Sequence, residues 1–236
     1  MKVVVREEFW DLFPEGQIGL VIAKGLDNQI VEEKDAYFAA LLQEAAKKAE
    51  NFIQEDPFTQ NEVIKEWREA FTKFKTKKGA RSSIEALLKR VSQGRTFSPI
   101  NPLVDIYNSI SLSYGVPFGG EDLAKIEGDL QLGKAEGGEA FYPLGADSDS
   151  PALPEEICYM DDAGAICRCL NWREAERTML TEATKDAILV SESINAHQAE
   201  RMQAGLKDLQ AKVEEYFGVE TEIFYLTAEN PQLELN

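Results

Sequence analysis

SPINPLVDIYNSISLSYGVPFGGEDL, residues 98–123, is the stretch from which the rest of the chain can be read outward. Pro99 and Pro102 can open a helix, because a first-turn N–H has no intrahelical carbonyl to lose. Leu103, Ile106, Tyr107, Ile110 and Tyr114 then recur at the i, i+3, i+4, i+7 spacing of one buried helix face. Gly115 ends that helix, Pro117 prevents its return, and Gly119 and Gly120 let the backbone approach a neighbour closely. Two readings fit: a core helix with a tight loop behind it, or a helix carrying a binding loop. The second nominates Asn101, Asp105 and Asn108 for binding and offers the amides of Gly119 and Gly120 as oxyanion donors.

Upstream, 3–5 and 17–24 read as short strands, the latter nearly all apolar and therefore buried. Helical periodicity spans 31–54, then 63–74 after an Asp56-Pro57 cap, then 81–91. Downstream the period changes from 3.6 to 2. Strands are expected at 129–135, 140–144, 157–161, 165–170, 178–181 and 187–191, with a polar lid-like loop at 145–154. A helix at 196–217, a strand at 220–226 and a tail from residue 230 close the chain. Helices early, strands in the middle and a helix late predict an α+β fold. One domain is expected over 1–236, with a mainly helical part at 1–97, a strand-rich part at 98–195 and a closing helix and strand at 196–236.

The formal net charge is −17, which argues against general affinity for nucleic acid and against DNA as a partner. Yet residues 65–95 hold ten basic and three acidic residues, a positive segment on a repulsive body. Such a segment is either a solvated helix face or a surface for phosphates. Three cysteines make no disulfide framework, no stretch approaches a membrane span, and the N-terminus is too short for a signal sequence, so a cytoplasmic protein is expected.

The inventory of reactive groups is thin. His197 is the sole histidine and Cys167 and Cys169 lack a second ligand pair, so neither a metal site nor a bound cofactor is expected. The segment CRCLNWREAER, 167–177, is the richer one. Arg168 alternates with the cysteines, and Asn171, Trp172 and Arg173 follow at a strand end, where ring, amide and guanidinium can meet a flat base and a phosphate. Thr184 and Glu192 bracket the next strand, and Arg81 at a helix start is placed over the same pocket.

The words LVDIYN (103–108), GVPFGGEDL (115–123) and KIEGDLQLGKAEGGE (125–139) resemble the B3/4 domain of the phenylalanyl-tRNA synthetase beta subunit, and the resemblance runs on to about residue 192. It implies that domain's mixed sheets and packed helices, and an editing activity: hydrolysis of an amino acid wrongly esterified to tRNA. The family's turn histidine falls here at Gly119, its glycine-rich loop at Leu170, Asn171, Trp172 and Arg173, and its late glutamate near Glu192. The resemblance therefore implies a free-standing editing domain with an altered pocket, taking the acceptor end of a tRNA, with Glu192 orienting a water. The rival expectation is a module that binds a tRNA end or an amino-acid-like ligand without chemistry.

Overall fold

In the computed structural model, which describes residues 1–235, two sheets and six α-helices share the chain. The fold is α+β. One sheet is mixed, in the order β10-β1-β4-β5-β6-β7, and comprises β1 (Lys2–Val5), β4 (Leu130–Lys134), β5 (Ile157–Asp161), β6 (Gly164–Arg168), β7 (Arg173–Glu174) and β10 (Gln232–Glu234). Only β1 and β4 run parallel in it. The second sheet is antiparallel throughout, in the order β3-β8-β2-β9, from β2 (Gln17–Ala23), β3 (Gly119–Asp122), β8 (Ala187–Ser193) and β9 (Thr221–Leu226).

Strand alternation decides which way the second sheet looks. Ile18, Leu20 and Ile22 of β2 join Ile188 and Val190 of β8 in a core shared with Val3, Val5, Leu130, Leu132, Ile157 and Tyr159 of the first sheet. The intervening Val21, Ala23, Ala187 and Leu189 face a second core. There they meet α2 (Asp35–Ala49), α5 (Pro102–Tyr114) and α6 (Ala196–Phe217). The nearly continuous burial of β2 is the signature of a strand covered on both faces. α1 (Glu7–Leu12), α3 (Glu62–Ala70) and α4 (Ser83–Ser92) pack Phe9, Trp10, Val63, Ile64, Trp67, Ile84 and Leu88 into the first core.

The helix of the opening stretch forms where expected. Asn101 caps it, its Oδ1 accepting from Val104 N–H at 3.1 Å, and Pro102 occupies the first turn. Gly115 closes it in a left-handed conformation, φ 63°, its N–H donating to the Ser111 carbonyl.

Several boundaries differ from the periodicity. The helix expected at 31–54 is α-helical over Asp35–Ala49, with a 3₁₀ turn at each end. Pro57 precedes a 3₁₀ turn at Phe58–Gln60 instead of opening α3, because the Asn61 side chain bonds back to Glu55 and Phe58 and so fixes the true start. The strand expected at 140–144 is irregular: Phe141 and Ala152 turn inward to a small cluster with Cys158, Met160 and Ala165 on the outer face of the first sheet. Residues 178–181 contribute a single bridge, Met179 to Glu121. The tail from 230 is not loose. β10 pairs with β1, because β1 would otherwise leave a row of unpaired backbone groups at the sheet edge.

Candidate functional site

A cavity of about 440 Å³ opens between the two sheets beside α4 and α5. Its buried floor comes from Tyr107, Phe118, Gly120, Glu121, Leu130, Tyr159, Cys167, Val190 and Glu192, and its rim is exposed at Ala86, Arg90, Leu144 and Arg173. Asn108, Asn171, Trp172 and Glu174 lie between floor and rim. The volume falls within the range of small-molecule sites.

Glu192 sits on β8, whose even-numbered residues 188, 190 and 192 face the first sheet. Tyr159 Oη, from the opposite sheet, donates to Glu192 Oε1 at 2.8 Å, and Asn171 Nδ2 donates to Oε2 at 3.0 Å. Burial pushes the Glu192 carboxyl up to about 7, against the lowering pull of those two donors. Glu174, at the end of the short β7, is likewise raised to about 7 by burial, although it accepts from the Gly120 N–H and so has the ionised form partly supported. Glu121 shares a strand face with Gly119, and burial followed by the neighbouring Glu174 charge drives its carboxyl well above the usual range. Three carboxyl groups from three strands therefore line one space. Tyr107 and Cys167 are held in their neutral forms, chiefly by burial.

The chain brings these groups together through a local device. β6 ends at Arg168, and Cys169 and Leu170 adopt φ 48° and 65°. Positive φ is uncommon for residues with a side chain, and two in succession turn the backbone sharply. Asn171 and Trp172 are thereby delivered to the cavity, and the chain returns as β7 carrying Arg173 and Glu174.

Of the residues singled out from sequence, Asn108, Gly119, Gly120, Asn171, Trp172, Arg173 and Glu192 line the cavity. Five do not. Arg168 points to the other face of its strand as alternation requires, but that face is interior: it is 1% exposed and binds Glu156 with Nε at 2.8 Å and Nη2 at 2.5 Å. Its Nη1 donates to the Ser150 carbonyl at 2.6 Å, which ties down the loop expected to be a lid. Thr184 donates to Asp122 Oδ2 at 2.8 Å, away from the cavity. Asn101 is clasped with Asn28, whose Nδ2 donates to Asn101 Oδ1 and whose Oδ1 accepts from Leu103 N–H. Asp105 accepts from the Ile100 N–H with both oxygens at 3.0 Å, and burial raises it to about 6. Arg81 borders a separate depression with Trp67, Arg68 and Glu85. Its helix still reaches the site, through Ser83, Ala86, Leu87 and Arg90.

The Gly120 amide is taken by Glu174, and the alternation that sends the Asp122 N–H away from β8 and the Leu123 N–H towards it turns the Gly119 N–H to Val190 in the β3–β8 ladder, so neither expected oxyanion donor is free. Cys167 lines the cavity while Cys169 leaves the strand and lies 3.4 Å from Glu156 Oε1, so the two thiols do not share a site. His197 is exposed at the start of α6 with Glu62 and Glu66, the one group of potential metal ligands among the described residues. Glu66 is already engaged there by Asn195, Gln198 and Arg201.

Sequence reasoning missed Glu121, Glu174, Tyr107, Tyr159, Leu144 and Arg90. Glu121 and Glu174 stand inside the two segments quoted for their chemistry, yet no spacing rule pairs residues 53 positions apart in the chain.

The B3/4 domain family matches residues 66–218. A phenylalanine–tRNA ligase beta subunit from Nocardia farcinica is 32% identical over 97 residues, covering 41% of this chain and 11% of the longer protein. Among solved structures, an N-terminal fragment of the phenylalanyl-tRNA synthetase beta subunit from Pyrococcus horikoshii aligns over 93% of this chain and 49% of the fragment, with a TM-score of 0.50 at 15% identity. The chain spans about a tenth of the curated relative and half of the structural one, so those likenesses concern one region of larger proteins. The matched stretch holds α4, α5, β3 and every other element that lines the cavity, and the chain belongs to the B3/4 domain family.

Proposed function

We propose that the protein hydrolyses the ester of a misacylated or unusual aminoacyl-tRNA in trans, as a free-standing editing protein. The observation that carries this reading is Glu192: a buried carboxylate held from both sides by Tyr159 and Asn171 at the floor of a cavity large enough for an aminoacyl group. A carboxyl raised to about 7 is ionised in a useful fraction at neutral pH and accepts a proton from water more readily than an ordinary carboxylate. The attacking water would lie against Glu192 and give its proton to the carboxylate as its oxygen bonds the acyl carbon; the tetrahedral intermediate then breaks the bond to the ribose oxygen, which takes that proton back and leaves as the terminal hydroxyl.

The rim supplies the nucleic-acid end. Trp172 offers a ring for the terminal base, with the Arg173 guanidinium 5.9 Å from its centroid, and Arg90 stands across the opening on α4. α3, α4 and the loop between them carry most of the basic segment, which leads phosphates towards that rim.

The test is deacylation of a panel of mischarged tRNAs, tyrosyl-tRNA(Phe) included, by the wild type and Glu192→Gln. Loss of about 10²–10⁴-fold in the variant, with affinity little changed, is the expected outcome for a general base. Equal rates in the two proteins would exclude Glu192 from the reaction. A second reading, a non-catalytic binder of the same ligands, is favoured by Gly119 in the place of the family's histidine and by the occupied Gly120 amide. It predicts saturable tRNA binding and no turnover on any member of the panel.

A further inference from the structure

The floor of the cavity has an imbalance that ester hydrolysis does not explain. Glu121 and Glu192 line it and Glu174 stands just above it, while the cationic residues of the lining, Arg90 and Arg173, are exposed at the rim. Arg177, a cation felt by Glu121 from outside the lining, is committed to Asp161 at 2.7 and 2.9 Å, and Thr178 offers Glu121 a single neutral hydroxyl. Among the described residues, three buried atoms of the lining lack a partner: Ser83 Oγ, Asn171 Oδ1 and Glu121 Oε2, the last in a residue only 6% exposed. Two of them are acceptors, and the Ser83 hydroxyl can accept as well as donate. A buried acceptor without a donor costs on the order of 1–3 kcal/mol, so a site built this way is complete only when a donor enters.

We infer that the cavity takes an organic ammonium group, seated between Glu121, Glu174 and Glu192, and that this is the recognition element of its ligand. The inference names the class of aminoacyl group for the site proposed above and rests on that site. An ammonium brings three N–H donors and one positive charge, which matches three atoms able to accept beside carboxyl groups. Two parts of an aminoacyl group carry it: the α-amine, or an amine at the end of the side chain. An aromatic phenol supplies one donor and no charge, and leaves the three acids uncompensated.

The groups that face this floor are Tyr107 from α5, Glu121 from β3, Tyr159 from β5, Cys167 from β6, Glu174 and Arg173 from β7, Glu192 from β8 and Arg90 from α4. In the empty cavity the acids are raised by burial and by one another, so part of the population carries protons at neutral pH. A cation stabilises their ionised forms. A side-chain ammonium, protonated up to about pH 10, therefore releases protons from the acids on binding and tightens as pH rises from 6 to 8, whereas an α-ammonium, which titrates near pH 8, does so only below about pH 7.

Calorimetric titration with three uncleavable amides tests the inference without any tRNA. Phenylalaninamide carries only the α-ammonium, Nα-acetyl-lysinamide only the side-chain ammonium, and N-acetylphenylalaninamide neither. At least one of the first two should bind about tenfold or more tighter than the neutral amide, release protons into the buffer, and lose about tenfold or more in Glu121→Gln. Which of the two binds identifies the source of the amine. Glu174→Gln, at a less buried position, provides the same readout if Glu121→Gln disturbs folding. The inference is overturned if neither ammonium amide binds, if the neutral amide binds equally well, or if binding at about pH 6.5, where both amines are already protonated, takes protons up. Amine binding without deacylation of any tRNA would sustain it and retire the editing reading. Deacylation with no preference for ammonium would do the reverse.

Discussion

Replacing Glu156 by Gln tests whether the buried Arg168 is a structural group and not a ligand-binding one. Arg168 and Glu156 are 1% and 0% exposed, joined through two guanidinium nitrogens, and the remaining Nη1 is bound to the Ser150 carbonyl. Removing the carboxylate charge leaves a guanidinium in the interior with no counter-charge, a change of about 3–5 kcal/mol in comparable buried pairs. With an m-value of about 2–3 kcal/mol per molar urea, the midpoint of unfolding should fall by roughly 1–2.5 M. Circular dichroism against urea reads this directly. The double variant Arg168→Met, Glu156→Met should recover most of the loss, because an apolar pair of similar length carries no desolvation cost. Ligand affinity and deacylation, measured well below the new midpoint, should be unchanged in the double variant. The reasoning fails if Arg168→Met leaves the midpoint within about 0.3 M of wild type. It also fails if the double variant is stable yet loses tRNA affinity, which would return Arg168 to the binding surface.

Other outcomes follow from the same geometry. Glu174 and Glu192 are raised to about 7, above the ordinary carboxylate value near 4.3, so the folded state holds more protons than the unfolded one between these limits. Their contribution to stability is therefore full below pH ~4 and lost as pH rises through 7, at no more than about 1.4 kcal/mol per pH unit for each group. Glu192→Gln should flatten that part of a stability profile taken from pH 5 to 8, and an unchanged slope would place the titration elsewhere. Tyr159→Phe removes a donor to ionised Glu192, so the inflection in deacylation against pH should move upward; a downward shift would contradict the direction of that hydrogen bond. Gly115→Ala places a side chain at φ 63° against the Phe52 ring, and should cost about 1 kcal/mol or more in a urea titration. Binding of tRNA should weaken linearly in log salt with a slope set by the few phosphates met by α3, α4 and Arg173; a flat response would remove the basic segment from the interface.

Much of the architecture is written locally. Asn101, Pro102 and Gly115 set the ends of α5 because caps, first-turn prolines and left-handed glycines act within a few residues. The unbroken apolar run of β2 announces a strand covered on both faces, and period-2 alternation correctly sends Arg168 and Cys167 to opposite sides. What alternation does not contain is the medium on each side. Arg168 meets Glu156 and an interior, Cys167 meets a cavity, and only the packing of one sheet on the other distinguishes them. For the same reason Glu121 and Glu174 read as ordinary surface acids, as do most carboxylates in a chain of net charge −17. Their proximity to Glu192 depends on β3 pairing with β8, on the two positive-φ residues that end β6, and on the approach of the two sheets. Residue identity thus determined the helices and most of the strands by short-range sterics and hydrogen bonding, while the irregular segment 140–144 and the pairing of β7 and β10 depended on contacts distant in the chain. The tertiary structure alone decided which charges lose their water, and with that which carboxyl groups can hold a proton near neutral pH.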